Sequence, residues 1–138
     1  MTNRWEHFTH EADIGVRGIG ETKAEAFAQT ALALTAVITD PADVQPRDET
    51  IIHCEAPDDE LLLVDWLNAL IYETSTRHVL FSRFEIEFNG TQLRARCWGE
   101  PLDRQRHQPI VEIKGATYTE LSVKEENGTW VAQTIVDV

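Results

Sequence analysis

The chain has 138 residues, of which 24 are acidic and 12 basic, for a net charge of −12. That length is enough for one domain with a hydrophobic core of its own, and no second domain or disulfide staple is needed. The charge excludes a surface built to grip nucleic acid directly, because such affinity rests on Lys and Arg displacing phosphate counterions; a basic protein partner is attracted instead.

The hydrophobic share of 42% describes a soluble globular chain. Its longest apolar runs, such as Leu61–Val64, are four residues, far short of the ~20 that a membrane span requires. The first residues lack the basic segment followed by an apolar one that marks a secretory signal, so a cytoplasmic location is expected. Cys54 and Cys97 belong to no CxxC or ligand cluster and read as small buried hydrophobes in strands.

Near the start, Trp5 and Phe8 lead into His10-Glu11-Ala12-Asp13-Ile14-Gly15, and Ile14, Val16 and Ile19 lead out in the alternation of a half-buried strand. Three ionisable side chains thus stand where an apolar strand begins. A carboxylate at Asp13, between Ala12 and Ile14, is partly desolvated and needs a cation or a donor. It serves either as an acceptor of backbone N–H groups at a turn before Gly15 or as a ligand. His7 and His10, three apart, fall on opposite faces of a strand.

From Glu21 to about Ile38, the apolar residues Ala24, Phe27, Ala28, Ala31, Leu34 and Val37 recur at helical spacing, with Thr22 and Glu25 placed as a capping box. Asp40-Pro41 ends this helix, and polar linkage follows to Glu49. Thr50–Cys54 reads as a strand. Pro57-Asp58-Asp59-Glu60 then opens a second helix, from about Asp59 to Thr76, with carboxylates where the helix dipole favours them. Its apolar residues run almost all the way round, so it is expected to be central. Asp65 and Asn68 share one face, where such a pair ordinarily satisfies neighbouring backbone.

After Arg77 the period becomes two. Phe81–Phe88 and Leu93–Trp98 flank Asn89-Gly90, a strong hairpin signal. Strands are expected at Pro109–Lys114, Thr117–Lys124 and Thr129–Val138, the last two joined through Glu126-Asn127-Gly128. Two helices among about seven strands, most of them hairpin-linked, give an α+β domain spanning residues 1–138, with the helices packed on a largely antiparallel sheet.

Asp137 is a second misplaced carboxylate, inside the β-branched run Thr134–Val138. If the final strand pairs beside the first, Asp13 and Asp137 converge and either raise each other's pKa or recruit a cation. Oxygen ligands suit calcium or magnesium, whereas a contribution from His7 or His10 favours zinc or manganese. Lys114 ends the apolar segment Val111-Glu112-Ile113, before the small residues Gly115 and Ala116, and is the candidate for contact with an anionic group. Arg94, Arg96, Arg104 and Arg106 are the main basic concentration, but Glu100 and Asp103 sit among them. Trp66, Trp98 and Trp130 read as core or rim. No phosphate-binding Gly-rich loop, GxSxG or HExxH is present.

Taken in order, Phe8–Gly15, Ala26-Phe27, Leu62–Asn68, Ile113–Tyr118 and Val136-Asp137-Val138 resemble the archease family. The resemblance implies a small accessory protein, not itself an enzyme, that activates the GTP-dependent tRNA-splicing RNA ligase. It implies that the protein promotes guanylylation and multiple turnover of that ligase. It also implies a metal site formed by Asp13, Asp137 and a carbonyl of Val138, with calcium the expected ion and manganese the alternative, and a partner-activating role for Lys114. Glu11, where many relatives carry Thr, and Thr119, where many carry His, depart from the pattern. Two other classes remain: a metal-dependent phosphoester hydrolase using Asp13, Asp137 and His10, and a chaperone-like scaffold for nucleic-acid-processing enzymes that docks through its acidic face.

Overall fold

The computed structural model describes residues 3–138. Two antiparallel sheets enclose two long helices. The chain begins with a hairpin, β1 (Arg4–His10) and β2 (Asp13–Gly20), and enters helix α1 (Lys23–Ile38). As the capping box predicts, Thr22 Oγ1 accepts from Glu25 N, and the two side chains also hydrogen-bond. A single 3-10 turn at Pro41–Asp43, capped by Asp40, leads to β3 (Asp48–Glu55). Helix α2 (Asp59–Arg77) begins at Asp58, whose carboxylate accepts from Leu61 N, and ends at His78 in the left-handed conformation.

The second half supplies β4 (Val79–Asn89), β5 (Gln92–Pro101), a one-turn helix α3 (Arg104–His107), β6 (Gly115–Ala116), β7 (Ser122–Glu126) and β8 (Thr129–Asp137). In the first sheet the order is β1-β2-β8-β6, with β7 also pairing β8; in the second it is β3-β5-β4. The expected α+β class therefore holds, but the strands divide between two sheets. Helix α1 packs against β2 of the first sheet and β4 of the second, so both sheets share one core.

Turn chemistry sets the hairpins. Asn127 and Gly128 both have positive φ, the requirement of a type I′ turn. The β4–β5 loop is Gly90-Thr91, one place later than Asn89-Gly90, because Asn89 still pairs with Gln92 and Gly90 takes the positive φ. The β1–β2 loop is Glu11-Ala12, and Glu11 adopts φ 55° without the help of glycine.

Along β2 and β8, alternate residues face α1. Gly18 lies so close to α1 that a Cβ there would come within 2.1 Å of the Ala26 carbonyl oxygen. Thr30 Oγ1 donates to the Ala132 carbonyl from the same side. The other face carries Asp13, Gly15 and Arg17 opposite Glu6, Phe8 and His10 of β1. There the Phe8 ring covers Gly15, and Arg17 stacks on that ring at 4.4 Å.

Two of the expected strands differ. Thr117–Lys124 is a turn with Glu120 at φ 57° followed by β7, and Pro109–Lys114 pairs with no strand among the described residues. Helix α3, not evident in the sequence, is held by hydrogen bonds that converge on one buried carboxylate. Glu100, 3% exposed, accepts two hydrogen bonds of 2.6 Å from Arg106, one from Gln45 N and one from His107 Nε2. Asp103 N donates to His107 Nδ1, which leaves the proton on Nε2.

Candidate functional site

The acidic pair comes together through strand register. β2 and β8 pair antiparallel as far as Ile14 opposite Val136. One position further sets Asp13 opposite Asp137, although 124 positions separate them in sequence (137 − 13). Directly opposed residues of antiparallel strands share a face. In the β1–β2 hairpin Asp13 pairs with His10, and across β8 Asp137 pairs with Gly115 of β6. One row at this end of the sheet therefore reads His10, Asp13, Asp137, Gly115.

Asp13 is half-buried and Asp137 exposed. Among the described residues neither carboxylate joins an ion pair or a side-chain hydrogen bond. The reading of Asp13 as a turn acceptor before Gly15 is thus not what the fold uses, because the turn precedes Asp13 and the residue itself begins β2. Like charges directly opposed in a sheet repel. A cation between them removes that cost.

The donors fit a hard cation in kind: two carboxylates, with main-chain carbonyls at the end of β8. In number they are few. No group of three or more His, Cys, Asp or Glu side chains among the described residues is placed to hold a metal ion, so His10 does not complete a chelate with the two aspartates. A bound ion here has to draw the rest of its shell from carbonyls such as that of Val138, and from water.

Lys114 lies beside the pair through its backbone. Its N–H donates to the Asp137 carbonyl at 2.8 Å, while its exposed side chain enters no ion pair among the described residues. Gly115 follows, and then Ala116, whose N–H donates to Asn68 Oδ1 at 2.9 Å. The expected role for Asn68, satisfying neighbouring backbone, is the observed one. It ties α2 to β6 and fixes the strand that borders Asp137. The signal for Asn68 was a polar side chain on an otherwise apolar helix, but the strand it serves was not evident from sequence.

Glu11 occupies the hairpin turn rather than a regular strand, so it does not share the strand face of Asp13. Thr119 contributes through its main chain, accepting from Ile135 N, and donates its own N–H to Thr117 Oγ1. His7 points the opposite way from His10 and donates from Nε2 to the Ala33 carbonyl. Of the tryptophans, Trp66 is fully buried and donates to the Phe27 carbonyl, while Trp98 lies between Arg83 and Arg96 at the surface. Three of the four arginines in the basic concentration are paired locally: Arg94 with Glu87, Arg96 with Glu49 and Arg106 with Glu100. Burial pushes the Cys54 thiol up to about 11 and that of Cys97 to about 12, so neither is a ready nucleophile. No described helix is long and apolar enough to cross a membrane.

Residues 5–138 match the archease protein family. The protein archease of Thermococcus gammatolerans is 39% identical over 140 residues, covering 98% of this chain and 99% of the relative. That of Aeropyrum pernix is 37% identical, covering 97% and 96%. Among solved structures, protein 1598 of Methanobacterium thermoautotrophicum superposes with a TM-score of 0.85 at 28% identity, covering 97% of this chain and 98% of that one. A Thermotoga maritima protein, described as an archease and possible chaperone, shares the fold with a TM-score of 0.61 at 17% identity, covering 96% of each chain.

Proposed function

Because this chain belongs to the archease family, we propose that it is an accessory protein that activates the GTP-dependent tRNA-splicing RNA ligase, promoting the ligase's guanylylation and multiple turnover. The observation that carries this reading is the opposition of Asp13 and Asp137 across β2 and β8, with Lys114 hydrogen-bonded to the same end of β8. An acidic protein with no nucleophile set beside a base among the described residues is suited to act on a partner enzyme rather than to turn over substrate itself.

In this reading Asp13 and Asp137 hold a divalent cation, calcium or manganese, with the Val138 carbonyl beside them. The ion supplies positive charge next to the partner's nucleotide phosphates. Asp13, half-buried on β2, sets its position. Asp137 provides the second carboxylate from β8, whose end is fixed by the Lys114 N–H and by β6. Lys114, with an ammonium that pairs with no group among the described residues, reaches the anionic group, and Asn68 keeps β6 in register beneath it.

The test is titration of ligase guanylylation and multiple-turnover ligation with this protein, with and without chelator. Asp13→Ala and Lys114→Ala proteins are compared at equal concentration. Stimulation is expected to fall at least tenfold for each and to be lost with chelator. Undiminished stimulation by both variants overturns the assignment. A chaperone-like scaffold role predicts instead that ligase binding and stimulation both survive neutralisation of Asp13.

A further inference from the structure

The segment Pro109–Ile113 has the composition and period of a strand but is paired with none. Pro109, Val111 and Ile113 are half-buried or buried, while Ile110, Glu112 and Lys114 are exposed, an alternation that marks an extended chain with one face inward. Its backbone is hydrogen-bonded at its ends only, by Ile110 N donating to the Ile38 carbonyl and Lys114 N to the Asp137 carbonyl, while Ile113 and Val111 pack on the core. Among the described residues no hydrogen bond reaches the N–H or C=O of Val111, Glu112 or Ile113. Proline at the head of the segment is an edge-strand residue, since it has no N–H to offer a neighbour.

Beside this strap lies an open pocket of about 340 Å³ between α1, α2 and β4. Its walls include Leu34, Ile38, Leu70, Leu80 and Phe84, with Ile110 of the strap at the mouth. Ile110 is 77% exposed, the most exposed large apolar side chain described. An unpaired row of backbone donors and acceptors next to an apolar cavity combines the two parts of strand-addition recognition. Main-chain bonds supply affinity, and the pocket selects a side chain.

We propose that the strap Val111–Ile113 and the adjoining pocket form a docking site for an extended segment of a partner protein, which adds as a strand along the strap and seats an aliphatic or aromatic side chain in the pocket. The pairing of backbone to backbone favours a peptide over a small apolar ligand, because a small ligand would leave the strap's polar groups unused. The experiment reads peptide binding alone, so its outcome is separate from that of the ligase titration.

The probe is a random peptide library displayed on phage and selected against the intact protein, with Ser75→Trp and Ile110→Lys proteins as counter-selections. Both substitutions lie at exposed positions lining the pocket, so the fold is retained. Enriched peptides are expected to alternate apolar and polar residues. Titrated as synthetic peptides into isotope-labelled protein, they are expected to shift the Val111, Glu112 and Ile113 amides. N-methylation of alternate peptide nitrogens is expected to weaken binding about tenfold or more through lost backbone bonds, and either protein variant to weaken it similarly. Absence of enrichment, amide shifts confined to another surface, or affinity indifferent to N-methylation each overturns the proposal. Self-association through the strap, seen as concentration-dependent sedimentation lost in Ile110→Lys, overturns it as well.

Discussion

Asp13 and Asp137 stand across from each other one position beyond the last β2–β8 pair, two like charges with no ion pair or side-chain hydrogen bond among the described residues. Opposed like charges in a sheet cost roughly 0.2–1 kcal/mol relative to neutral pairs. In chelator, Asp13→Asn is therefore expected to raise stability by about that amount, measured by urea unfolding. Added calcium is expected to raise the Tm of the parent protein and leave Asp13→Asn unmoved, and an equal calcium response in both places the ion elsewhere. Glu11 provides the control. It holds φ 55°, where a non-glycine residue costs roughly 1–2 kcal/mol, so Glu11→Gly is expected to stabilise the hairpin by up to about 1 kcal/mol while the calcium response stays intact. Loss of that response makes Glu11 a ligand. Both aspartates were legible in the sequence as charges inside apolar strand patterns. Their adjacency was not, because strand pairing at a separation of 124 positions leaves no local periodicity. Nor was the turn at Glu11-Ala12, which lacks the Gly or Asn that announces a hairpin.

At the scale of elements, the helices were the most legible parts because their caps are local chemistry. Thr22 with Glu25, and Asp58 ahead of Leu61, act within one turn of chain. From Pro109 to Lys124 the alternation reports an extended chain but not a partner strand, and Glu120 in the left-handed region breaks the run. Helix α3 has no apolar periodicity in its four residues; Asp103 caps it, and Glu100, which lies on another element, holds Arg106 and His107. That carboxylate is pulled from its ordinary 4.5 down to about 2, chiefly by the Arg106 guanidinium against the opposing effect of burial. A depressed carboxylate contributes stability that is complete above the unfolded pKa and is lost as pH falls through the folded one. Glu100→Gln is expected to cost about 1–3 kcal/mol at pH 7, since at a buried position the Arg106 guanidinium, the Gln45 N–H and the buried His107 ring lose their charged acceptor. The difference from the parent is expected to shrink between about pH 4.5 and pH 2. Thermal unfolding of both proteins across that range checks it, and a gap that is constant with pH assigns the loss to packing.

For the whole molecule, charge and core pull in opposite directions. One cluster of buried residues runs from Phe27 on α1 through Trp66 on α2 to Phe81 and Leu93 of the second sheet. α1 touches both sheets, so neither sheet retains its inner face if the other departs, and unfolding is expected to be a single transition by far-UV circular dichroism and tryptophan fluorescence alike. Against this core stands a net charge of −12. Several surface cations are already engaged, as Arg17 with Glu6, Arg96 with Glu49 and Arg77 with Glu73. Exposed pairs of this kind contribute little, typically under about 1 kcal/mol. Screening weakens these pairs and the repulsion together. With twice as many acids as bases, repulsion is the larger quantity, so salt favours the compact state. Raising sodium chloride from about 0.01 to about 0.5 M, which shortens the screening length from roughly 30 Å to a few ångströms, is expected to move the urea midpoint upward with the two probes still coincident. A downward movement makes the ion pairs the dominant electrostatic contribution, and a split between probes means that the two sheets do not share one cooperative core.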